Sequence, residues 1–267
     1  AESAGGGWKA GTYTAEVTGH NAPYTVSVTF SDDAITAIDT ASNQESLGVG
    51  ADALKALADQ VMDNQTINID TVTGATLSSM SLQEGLKECA EQAGALETLE
   101  EAAAPEKPAV KSTYDTDVCV VGGGGAGLAS AIAAVQAGAN VIVLEKCGIT
   151  GGSTNVSEGA LNAVDPERQG KQGIEDSIEV FYDTTIKGGH EQGTPELVHY
   201  LTDNALESVH WLESLGVEFK DECGSATGSL GERSHYPATP SGNTYIRSFQ
   251  QFIADNADKI TLLNNMQ

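Results

Sequence analysis

The chain has 267 residues, of which 38 are Asp or Glu and 13 are Lys or Arg, so its formal net charge is −25 at neutral pH. This excess of negative charge argues against nucleic acid or an anionic membrane surface as a partner. The length allows about two domains, and no apolar run reaches the roughly 18 residues that a membrane-spanning helix needs.

The first seven residues contain three consecutive glycines and no initiator methionine. Such a start is typical either of a mature end left after removal of a signal peptide or of an engineered chain boundary, and the residues favour neither. We expect an N-terminal tail over residues 1–7.

Short segments of residues 8–43 alternate apolar and polar side chains, which predicts an antiparallel meander with one buried face. Apolar residues at helical spacing then predict an amphipathic helix from Asp52 to Met62, and Thr66–Asp70 is short and β-prone. The three strands are expected at Tyr13–Val17, Tyr24–Phe30 and Ala34–Ile38.

A turn rich in hydroxyl groups follows at residues 70–79 (Asp-Thr-Val-Thr-Gly-Ala-Thr-Leu-Ser-Ser), ahead of a helix to about Gly94. Such a turn can hold a phosphate on backbone N–H groups and side-chain hydroxyls. An ordinary N-cap run of Ser and Thr has the same composition. From the residues alone, the ordinary N-cap is the preferred interpretation.

The Asp-x-x-Thr-Gly-Ala-Thr-x-Ser pattern of this turn is similar to the FMN-binding domain of sodium-pumping quinone reductase subunits, electron-transport complexes and some fumarate-reductase-like proteins. Tyr13 and residues 45–50 (Glu-Ser-Leu-Gly-Val-Gly) also fit that family. In the family, the second threonine of the pattern carries FMN through a phosphoester, so the resemblance implies covalent FMN on Thr76. It also implies an α+β FMN-binding domain, which we place at residues 8–96. The other expected contacts are Thr73, Gly74, Ala75 and Ser78.

Residues 97–109 contain two prolines and many charges, which predicts a linker of limited stiffness. We place this linker at residues 97–114.

A second glycine-rich stretch follows at residues 117–146, where strand, turn, helix, strand and a terminal acid occur in order. Its glycines have the G-x-G-x-x-G spacing, which allows a tight turn and a close approach of a pyrophosphate to the backbone at the positive end of a helix dipole. The pattern predicts a bound dinucleotide, with Glu145 placed to accept a hydrogen bond from a ribose hydroxyl; a glycine-rich structural turn is the alternative. A buried strand is expected at Val118–Val121, with Cys119 in the core, a second apolar strand at Val141–Leu144, and the helix at Ala126–Ala137. The expected contacts in the turn are Gly122, Gly124, Gly125, Ala126 and Gly127.

The residues after Glu145 resemble the flavoprotein subunit family of fumarate reductase and succinate dehydrogenase, which includes soluble fumarate and urocanate reductases. In that family a Glu-Lys pair, a Gly-Gly-x-(Ser or Thr) turn and a Gly-Gly-x-Asn-Ala segment wrap FAD. Here they read Glu145-Lys146, 151–154 (Gly-Gly-Ser-Thr) and 159–163 (Gly-Ala-Leu-Asn-Ala), so Ala160 stands where the family usually has glycine. The resemblance covers residues 115–267 and implies non-covalent FAD in an α/β Rossmann-like domain. The contacts it implies are Lys146, Gly152, Ser153, Thr154, Gly159 and Ala160.

The remaining residues predict three helices and a strand. Thr194 and Pro195 predict an N-cap followed by proline at the first helical position. His199 and His210 lie on predicted helices, where we expect them to be packed or solvated. His235 lies in a loop rich in Gly, Ser and Thr where the family brings the chain near the flavin, but the preferred interpretation gives it no role in a site. The cysteines lack C-x-x-C spacing and the histidines lack metal-ligand spacing, so we expect neither a disulfide nor a metal site. The helices are expected at Ile174–Thr185, Glu196–Leu215 and Tyr245–Asp258, and the strand at Ile260–Leu263.

The family continues for roughly as many residues again after the position of Gln267. We therefore expect the capping domain, the C-terminal part of the FAD-binding domain and the catalytic residues to lie beyond this chain, either in a remainder or in another chain. Alone, this chain is expected to show no turnover.

The two resemblances together imply an electron relay, in which FMN passes electrons to FAD and FAD reduces the C=C bond of fumarate, urocanate or another acrylate. An upstream donor would be a quinol, a cytochrome or an NADH-linked protein. The alternatives are an FAD-dependent ketosteroid-type dehydrogenase and a non-catalytic FMN electron carrier. Because FMN attachment in related proteins often occurs outside the cytoplasm, we expect an exported or cell-surface protein, with a cytoplasmic location as the alternative.

Overall fold

The computed structural model of the chain describes residues 7–106, 113–228, 230–239 and 241–266. These residues fall into two units. The first unit holds the chain up to residue 123 together with 137–150 and the residues after 260, and the second unit holds 124–136 and 151–260. The domain boundaries expected near residues 96 and 115 stay predictions.

The helices and strands of the described residues are numbered in chain order. The strands are β1 (Gly11–Thr18), β2 (Pro23–Phe30), β3 (Ile35–Asp39), β4 (Val118–Val121), β5 (Val141–Leu144), β6 (Leu161–Asn162), β7 (Ser234–His235) and β8 (Ile260–Leu263). The helices are α1 (Gly50–Asn64), α2 (Thr76–Ala93), α3 (Leu96–Glu101), α4 (Gly125–Gln136), α5 (Pro166–Gln172), α6 (Ile178–Gly188), α7 (Pro195–Ser214) and α8 (Asn243–Asp255).

Strands β1, β2 and β3 form the antiparallel meander that their alternation predicts. Opposite residues such as Ala15 and Val26, or Val17 and Tyr24, are paired in register and point into the core. Because side chains alternate between the two faces of a strand, the polar residues between them face away from this core. The meander prediction is therefore confirmed.

Helices α1 and α2 cover the buried face of the meander and complete its hydrophobic core. Helix α2 approaches β2 closely at Gly85, where an added Cβ would lie 2.6 Å from Cγ2 of Val26. The helix ends at Gly94, which adopts a left-handed conformation with φ of +69°. Glycine reaches this conformation without the steric cost that a Cβ imposes.

Two segments of this part of the chain adopt a conformation that their local sequence does not indicate. Thr66–Asp70 forms no strand, because the Thr66 hydroxyl and the Ile67 N–H both bond to the carbonyl of Leu99 instead of a sheet neighbour. The expected linker begins with helix α3, which the fully buried side chain of Leu99 holds against the core. Residues 107–112 of the expected linker lie outside the described residues.

Strands β4 and β5 pair in parallel, and β8 lies on the other side of β5. The residues of β5 are mostly buried, whereas Val118 and Val120 of β4 are only half-buried. Cys119 is exposed and Val121 is 83% exposed. The expectation of a buried β4 with Cys119 in the core is therefore wrong, because β4 is the edge of this sheet and one of its faces is uncovered by the described residues.

The second unit is mainly helical, with a short antiparallel pair of strands, β6 and β7. Helices α7 and α8 and strand β8 follow their predictions to within about three residues. Helix α6 begins at Ile178, four residues later than predicted, because the Ser177 hydroxyl caps it by accepting from the Val180 N–H. Helix α5 was not predicted, although Asp165 and Pro166 form the N-cap and first position that signal a helix start.

No helix among the described residues is long and apolar enough to cross a membrane.

Replacement of Gly85 with alanine should lower the free energy of unfolding of the core between the meander and helices α1 and α2. The new methyl group would overlap Val26, and overpacking of this kind costs about 1–3 kcal/mol, which exceeds the gain of up to about 1 kcal/mol in helix propensity. Denaturant unfolding measures the change.

Gly170→Ala is the matched control, because Gly170 lies in α5 with no atom within 4 Å of an added Cβ. It should stabilise the protein by up to about 1 kcal/mol. Equal effects of the two substitutions would contradict the close approach of α2 to β2.

Candidate functional site

The turn at residues 72–76 is held from the inside and presents its outer groups to solvent. The Ser79 hydroxyl donates to the Ala75 carbonyl at 2.8 Å and accepts from the Val72 N–H at 3.0 Å. Gly74 adopts a φ of +96°, a conformation that favours glycine. Thr73, Gly74 and Thr76 are exposed, whereas Ala75 is buried. The turn therefore offers the Thr76 hydroxyl at the first position of an 18-residue helix.

A buried carboxylate lies beneath this turn. Oε2 of Glu45 accepts a hydrogen bond of 2.5 Å from the Ser78 hydroxyl, and its Oε1 accepts from the Asn21 N–H at 3.2 Å. A Cβ on Gly50 would lie 2.5 Å from Glu45 and one on Gly19 would lie 2.3 Å from it, so only glycine leaves room for the carboxylate. Ser78, predicted as a cofactor contact, thus supports the turn from beneath.

The donor groups of this turn fit a phosphate ester. The first N–H groups of a helix have no intrahelical partners and carry the positive end of the helix dipole. The Thr76 hydroxyl lies among them and is exposed. Exposed Thr73 and Gly74 precede it, so a phosphate on Thr76 would meet backbone N–H groups without displacing a side chain.

The second glycine-rich turn is organised in the first unit by Glu145. Its Oε2 accepts from the Gly123 N–H at 2.6 Å and its Oε1 accepts from the Cys147 N–H at 2.7 Å. Burial opposes ionisation of Glu145, but these two hydrogen bonds lower its pKa below the ordinary value. Gly122, with φ of +108°, makes the turn between β4 and this carboxylate, and Lys146 is exposed.

The start of helix α4, in the second unit, meets the turn at residues 151–154. Gly124 forms a bridge with Gly151, and a Cβ on Gly125 would lie 2.5 Å from Oγ1 of Thr154. No atom lies within 4 Å of a Cβ built on Gly124. Gly124 therefore leaves open backbone beside the first turn of a helix, which is what the approach of a pyrophosphate requires. The expected contacts that are brought together here are Gly124, Gly125, Gly152 and Thr154; Ala126 and Ser153 are exposed beside them.

The segment at Gly159 is held by the start of helix α8. The Tyr245 hydroxyl donates to the Gly159 carbonyl at 2.5 Å, and a Cβ on Gly159 would lie 2.8 Å from the Gly242 nitrogen. Nearby, the Asn243 amide donates to Oδ1 of Asn155 at 2.9 Å, and both side chains are buried. Ala160 follows Gly159 and is half-buried. Contacts with Tyr245 and Gly242 therefore fix the backbone at Gly159, and the sequence motif alone does not reveal these contacts.

His235 lies in a buried ionic cluster. Its Nε2 is 3.2 Å from Oδ2 of Asp165, and its Nδ1 is 3.2 Å from the Arg233 carbonyl. Arg168 bridges Asp165 and Glu213, which ties the start of α5 to the end of α7. His235 is fully buried. His235 is therefore held inside the protein by hydrogen-bonding partners at both ring nitrogens.

Arg233 extends this cluster through a second buried pair. Its guanidinium donates to both carboxylate oxygens of Asp176, at 2.8 and 2.7 Å, and it also contacts the ring of Phe181. A buried charge pair of this kind needs its full set of hydrogen bonds. Among the described residues, no group of three or more His, Cys, Asp or Glu side chains could hold a metal ion.

Sequence reasoning missed several of these residues. Gly123 follows the first glycine of the motif and its N–H is the partner of Glu145, but the consensus spacing leaves this position unspecified. The sequence places Glu45 in a segment that fits the family but does not indicate its hydrogen bond with Ser78. Tyr245 and Asn243 are more than 80 residues from the backbone and side-chain groups that they bind. No local pattern could have revealed those contacts.

Comparison with known proteins agrees with both turns. The profile of the FAD binding domain family matches residues 117–265, and that of the FMN-binding domain family matches residues 19–91. Urocanate reductase of Eggerthella lenta is 40% identical over 215 residues, which cover 79% of this chain and 35% of that protein. NADH:acrylate oxidoreductase of Vibrio harveyi is 30% identical over 95% of this chain and 31% of its own length.

Among solved structures, the open conformation of a flavocytochrome c3 fumarate reductase matches 60% of this chain and 31% of its own chain. The TM-score is 0.52 and the sequence identity is 32%. This chain thus spans about a third of the length of the two relatives and of that structure.

Asp165→Asn should destabilise the protein at neutral pH. Burial opposes ionisation of Asp165, but hydrogen bonds from Arg168, His235 and Glu167 lower its pKa from 3.8 to about 2. A shift of this size corresponds to about 2 kcal/mol of stability, which is present above the unfolded pKa and is lost as the pH falls through the folded pKa. Denaturant unfolding between neutral pH and about pH 2 measures the loss.

Asparagine keeps the capping acceptor of α5, so this change isolates the charge. Glu167→Gln is the control, because the Glu167 side chain forms an exposed pair with Lys171 and such pairs contribute little. A difference between wild type and Asp165→Asn that stays constant down to about pH 2 would contradict the assignment.

Gly124→Ala should weaken FAD binding by at least about tenfold, or about 1.4 kcal/mol. The new methyl group meets no protein atom within 4 Å, so the unfolding free energy without FAD should stay unchanged or rise. It would, however, occupy the space through which a pyrophosphate approaches the backbone. Titration with FAD, followed by flavin fluorescence, measures the affinity, with Gly170→Ala as the control.

Proposed function

The chain belongs to the FAD binding domain family and carries an FMN-binding domain before it, and on this premise we propose that it is the electron-receiving part of a flavin-dependent reductase. Electrons would pass from FMN attached to Thr76 to non-covalent FAD and then to the C=C bond of an unsaturated carboxylate. One observation carries the proposal. The same chain has an exposed Thr76 at the start of helix α2 and, just before helix α4, a Gly124 with open space beside its backbone.

The relatives support this class of substrate. They are named a urocanate reductase and an NADH:acrylate oxidoreductase, and a third, from Klebsiella pneumoniae, is named an NADH:fumarate oxidoreductase. All three names describe reduction of a C=C bond conjugated to a carboxylate. We propose fumarate, urocanate or another acrylate for this protein.

Covalent attachment of FMN would use the Thr76 hydroxyl. A new bond forms between Oγ1 of Thr76 and the phosphorus of FMN, while the bond from that phosphorus to the leaving group breaks. The donor is therefore an activated FMN, such as a flavin dinucleotide that releases a nucleoside monophosphate, and the hydroxyl proton is lost to a base. The exposed hydroxyl and the unpaired N–H groups of the first turn of α2 suit this step, because they stabilise the phosphate charge.

Contacts within the first unit support transfer between the flavins. A Cβ on Gly148 would lie 3.0 Å from Cγ1 of Val72 and 3.5 Å from the Thr73 nitrogen. Val72 and Thr73 precede Thr76 in the turn at residues 72–76. Gly148 follows Glu145 by three residues. The segment after the expected ribose-binding carboxylate thus lies against the loop that carries the expected FMN.

The FAD itself would supply hydride chemistry when bound, and the protein would orient it. This chain contributes the phosphate-binding backbone at Gly124 and the buried carboxylate of Glu145. From the family resemblance we also propose that the electron donor is a quinol, a cytochrome or an NADH-linked protein. The same resemblance leads us to propose a location outside the cytoplasm.

The function is tested with the protein from native cells, reduced chemically under anaerobic conditions. Addition of fumarate, urocanate or acrylate should reoxidise the flavins, and the absorbance of oxidised flavin measures the rate. Reoxidation by none of them, in protein that contains both flavins, would contradict the reductase and favour an electron carrier.

Thr76→Ala should remove the covalent FMN, because no other atom replaces Oγ1 as the ester oxygen. Intact mass should show one FMN phosphoester in the wild type and in Thr73→Ala, and none in Thr76→Ala. Non-covalent FAD should still bind to Thr76→Ala, since its expected contacts are unchanged. An unmodified wild-type mass, or the same added mass in Thr76→Ala, would contradict the site.

A further inference from the structure

The turn that precedes helix α2 is a closed β-turn. The Ala75 N–H donates to the Val72 carbonyl at 3.0 Å, and Gly74, the third residue of the turn, has a φ of +96°. This combination is typical of a type II turn, whose third position needs a positive φ. The Val72 N–H donates to the Ser79 hydroxyl at 3.0 Å. Both backbone groups of Val72 are therefore bonded within the turn and the start of the helix.

A loop of the other glycine-rich motif packs against this turn. We call residues 145–149 the carboxylate loop. A Cβ built on Gly148 would lie 3.0 Å from Cγ1 of Val72. A Cβ built on Gly74 would lie 3.9 Å from Cδ1 of Ile149, whose side chain is half-buried. The carboxylate loop and the turn lie in the same unit of the structure, so the contact belongs to its interior packing.

The carboxylate loop is held by the chain that leaves strand β8. The Glu145 N–H donates to the Leu263 carbonyl at 2.8 Å, and the Glu145 carbonyl accepts from the Met266 N–H at 2.9 Å. The Asn264 amide donates to the Gly148 carbonyl at 3.2 Å. Because the loop is bonded near both ends, restraint of Glu145 by a ligand also restrains Gly148.

The side chain of Glu145 joins the expected FAD to this loop. Its Oε1 accepts from the Cys147 N–H at 2.7 Å. A carboxylate has about four acceptor positions, so a ribose hydroxyl can donate to Glu145 while this bond is kept. Ile149, at the contact with the turn, lies two residues after the bonded N–H. The path from the expected ribose to the turn therefore runs through one short, hydrogen-bonded loop.

We propose that the carboxylate loop couples the two flavin sites, with Ile149 as the positioning residue. FAD bound at Glu145 stabilises the turn that carries Thr76, and FMN attached to Thr76 raises the affinity for FAD. This inference rests on the proposed function and adds a linkage between its two cofactors. Coupling between two sites is reciprocal, so each flavin favours the other by the same factor. We expect about fivefold, the lower end of the usual range, because the contact is small.

Repulsion between the cofactors acts in the opposite direction, because both carry phosphate charge. At an ionic strength of about 0.15 M, exposed charges are largely screened beyond about 8 Å. The contact between Ile149 and the backbone of Gly74 is apolar, so salt does not weaken it. At this ionic strength we therefore expect the coupling through the loop to exceed the repulsion.

The first experiment needs no attached FMN. Hydrogen exchange of the Thr76→Ala protein is measured by mass spectrometry with and without saturating FAD. FAD should slow exchange about fivefold in a peptide that covers residues 72–79, where the N–H groups of Val72 and Ala75 are bonded. Exchange in strand β2, Pro23–Phe30, is the internal control and should stay unchanged.

The second experiment measures the reciprocal effect. Bound FAD is removed from FMN-loaded wild type, whose intact mass confirms the attachment. The Kd for FAD is then measured by calorimetry at about 0.15 M salt. FMN-loaded wild type should bind FAD about fivefold more tightly than Thr76→Ala does.

Substitutions of Ile149 separate coupling from stability. Ile149→Ala, alone and combined with Thr76→Ala, should abolish both effects, because a methyl group does not reach the Gly74 backbone. Ile149→Val keeps a branched apolar side chain and should retain most of each effect. Ile38→Ala is the matched control, because Ile38 is also half-buried but packs against the core of the meander. It should lower the unfolding free energy and leave both effects intact.

The remaining outcomes overturn the proposal in distinguishable ways. Unchanged exchange at residues 72–79 in protein saturated with FAD overturns the coupling and leaves the proposed function standing. Equal FAD affinities, or weaker binding by the FMN-loaded protein, do the same. An unmodified mass of the wild type contradicts the attachment at Thr76, and the exchange experiment still decides whether FAD stabilises the turn. Absence of FAD binding contradicts both the proposed function and the coupling.

Discussion

A buried carboxylate lies behind each of the two glycine-containing turns, and the geometry of both turns depends on it. Glu45 accepts from the Ser78 hydroxyl and Glu145 accepts from the Gly123 and Cys147 N–H groups. Hydrogen bonds to a carboxylate are shorter and stronger than bonds between neutral groups. Neither carboxylate has a buried cation as its partner in these bonds, so each relies on well-placed donors. The outer groups of each turn are then left available to a phosphate.

Small residues make both arrangements possible. Gly19 and Gly50 leave room for Glu45, and Gly123 brings its backbone N–H to Glu145 because a side chain there would meet that carboxylate at 3.1 Å. Gly124, in contrast, has open space where a side chain would be. The first kind of glycine serves packing inside the protein, and the second serves the approach of a ligand.

Helix and strand periodicity allowed much of the secondary structure to be predicted. The meander, α1, α7, α8 and the strand–turn–helix order around Gly122 follow from local patterns of residues 11–39, 50–64 and 118–144. The predictions failed where a distant partner determines the conformation. Residues 66–70 are β-prone, but the Thr66 hydroxyl donates a hydrogen bond to the Leu99 carbonyl of α3. Helix α3 forms in a segment expected to be linker, because the Leu99 side chain is buried in the hydrophobic core. Cys119 looks like a core residue, but its strand is at a sheet edge.

The sequence by itself determined the two glycine-containing turns and the position of Thr76 at a helix start, because these depend on residue types at short spacing. The resemblance of both motifs to known families implied the class of flavoprotein. Only the tertiary structure decided which side chains stand behind the turns and which remain exposed in front of them. Glu45 and Ser78 are 33 residues apart, and Tyr245 and Gly159 are 86 apart. Hydrogen bonding and close packing act between atoms that folding brings together. The spacing of residues along the chain therefore does not predict these contacts.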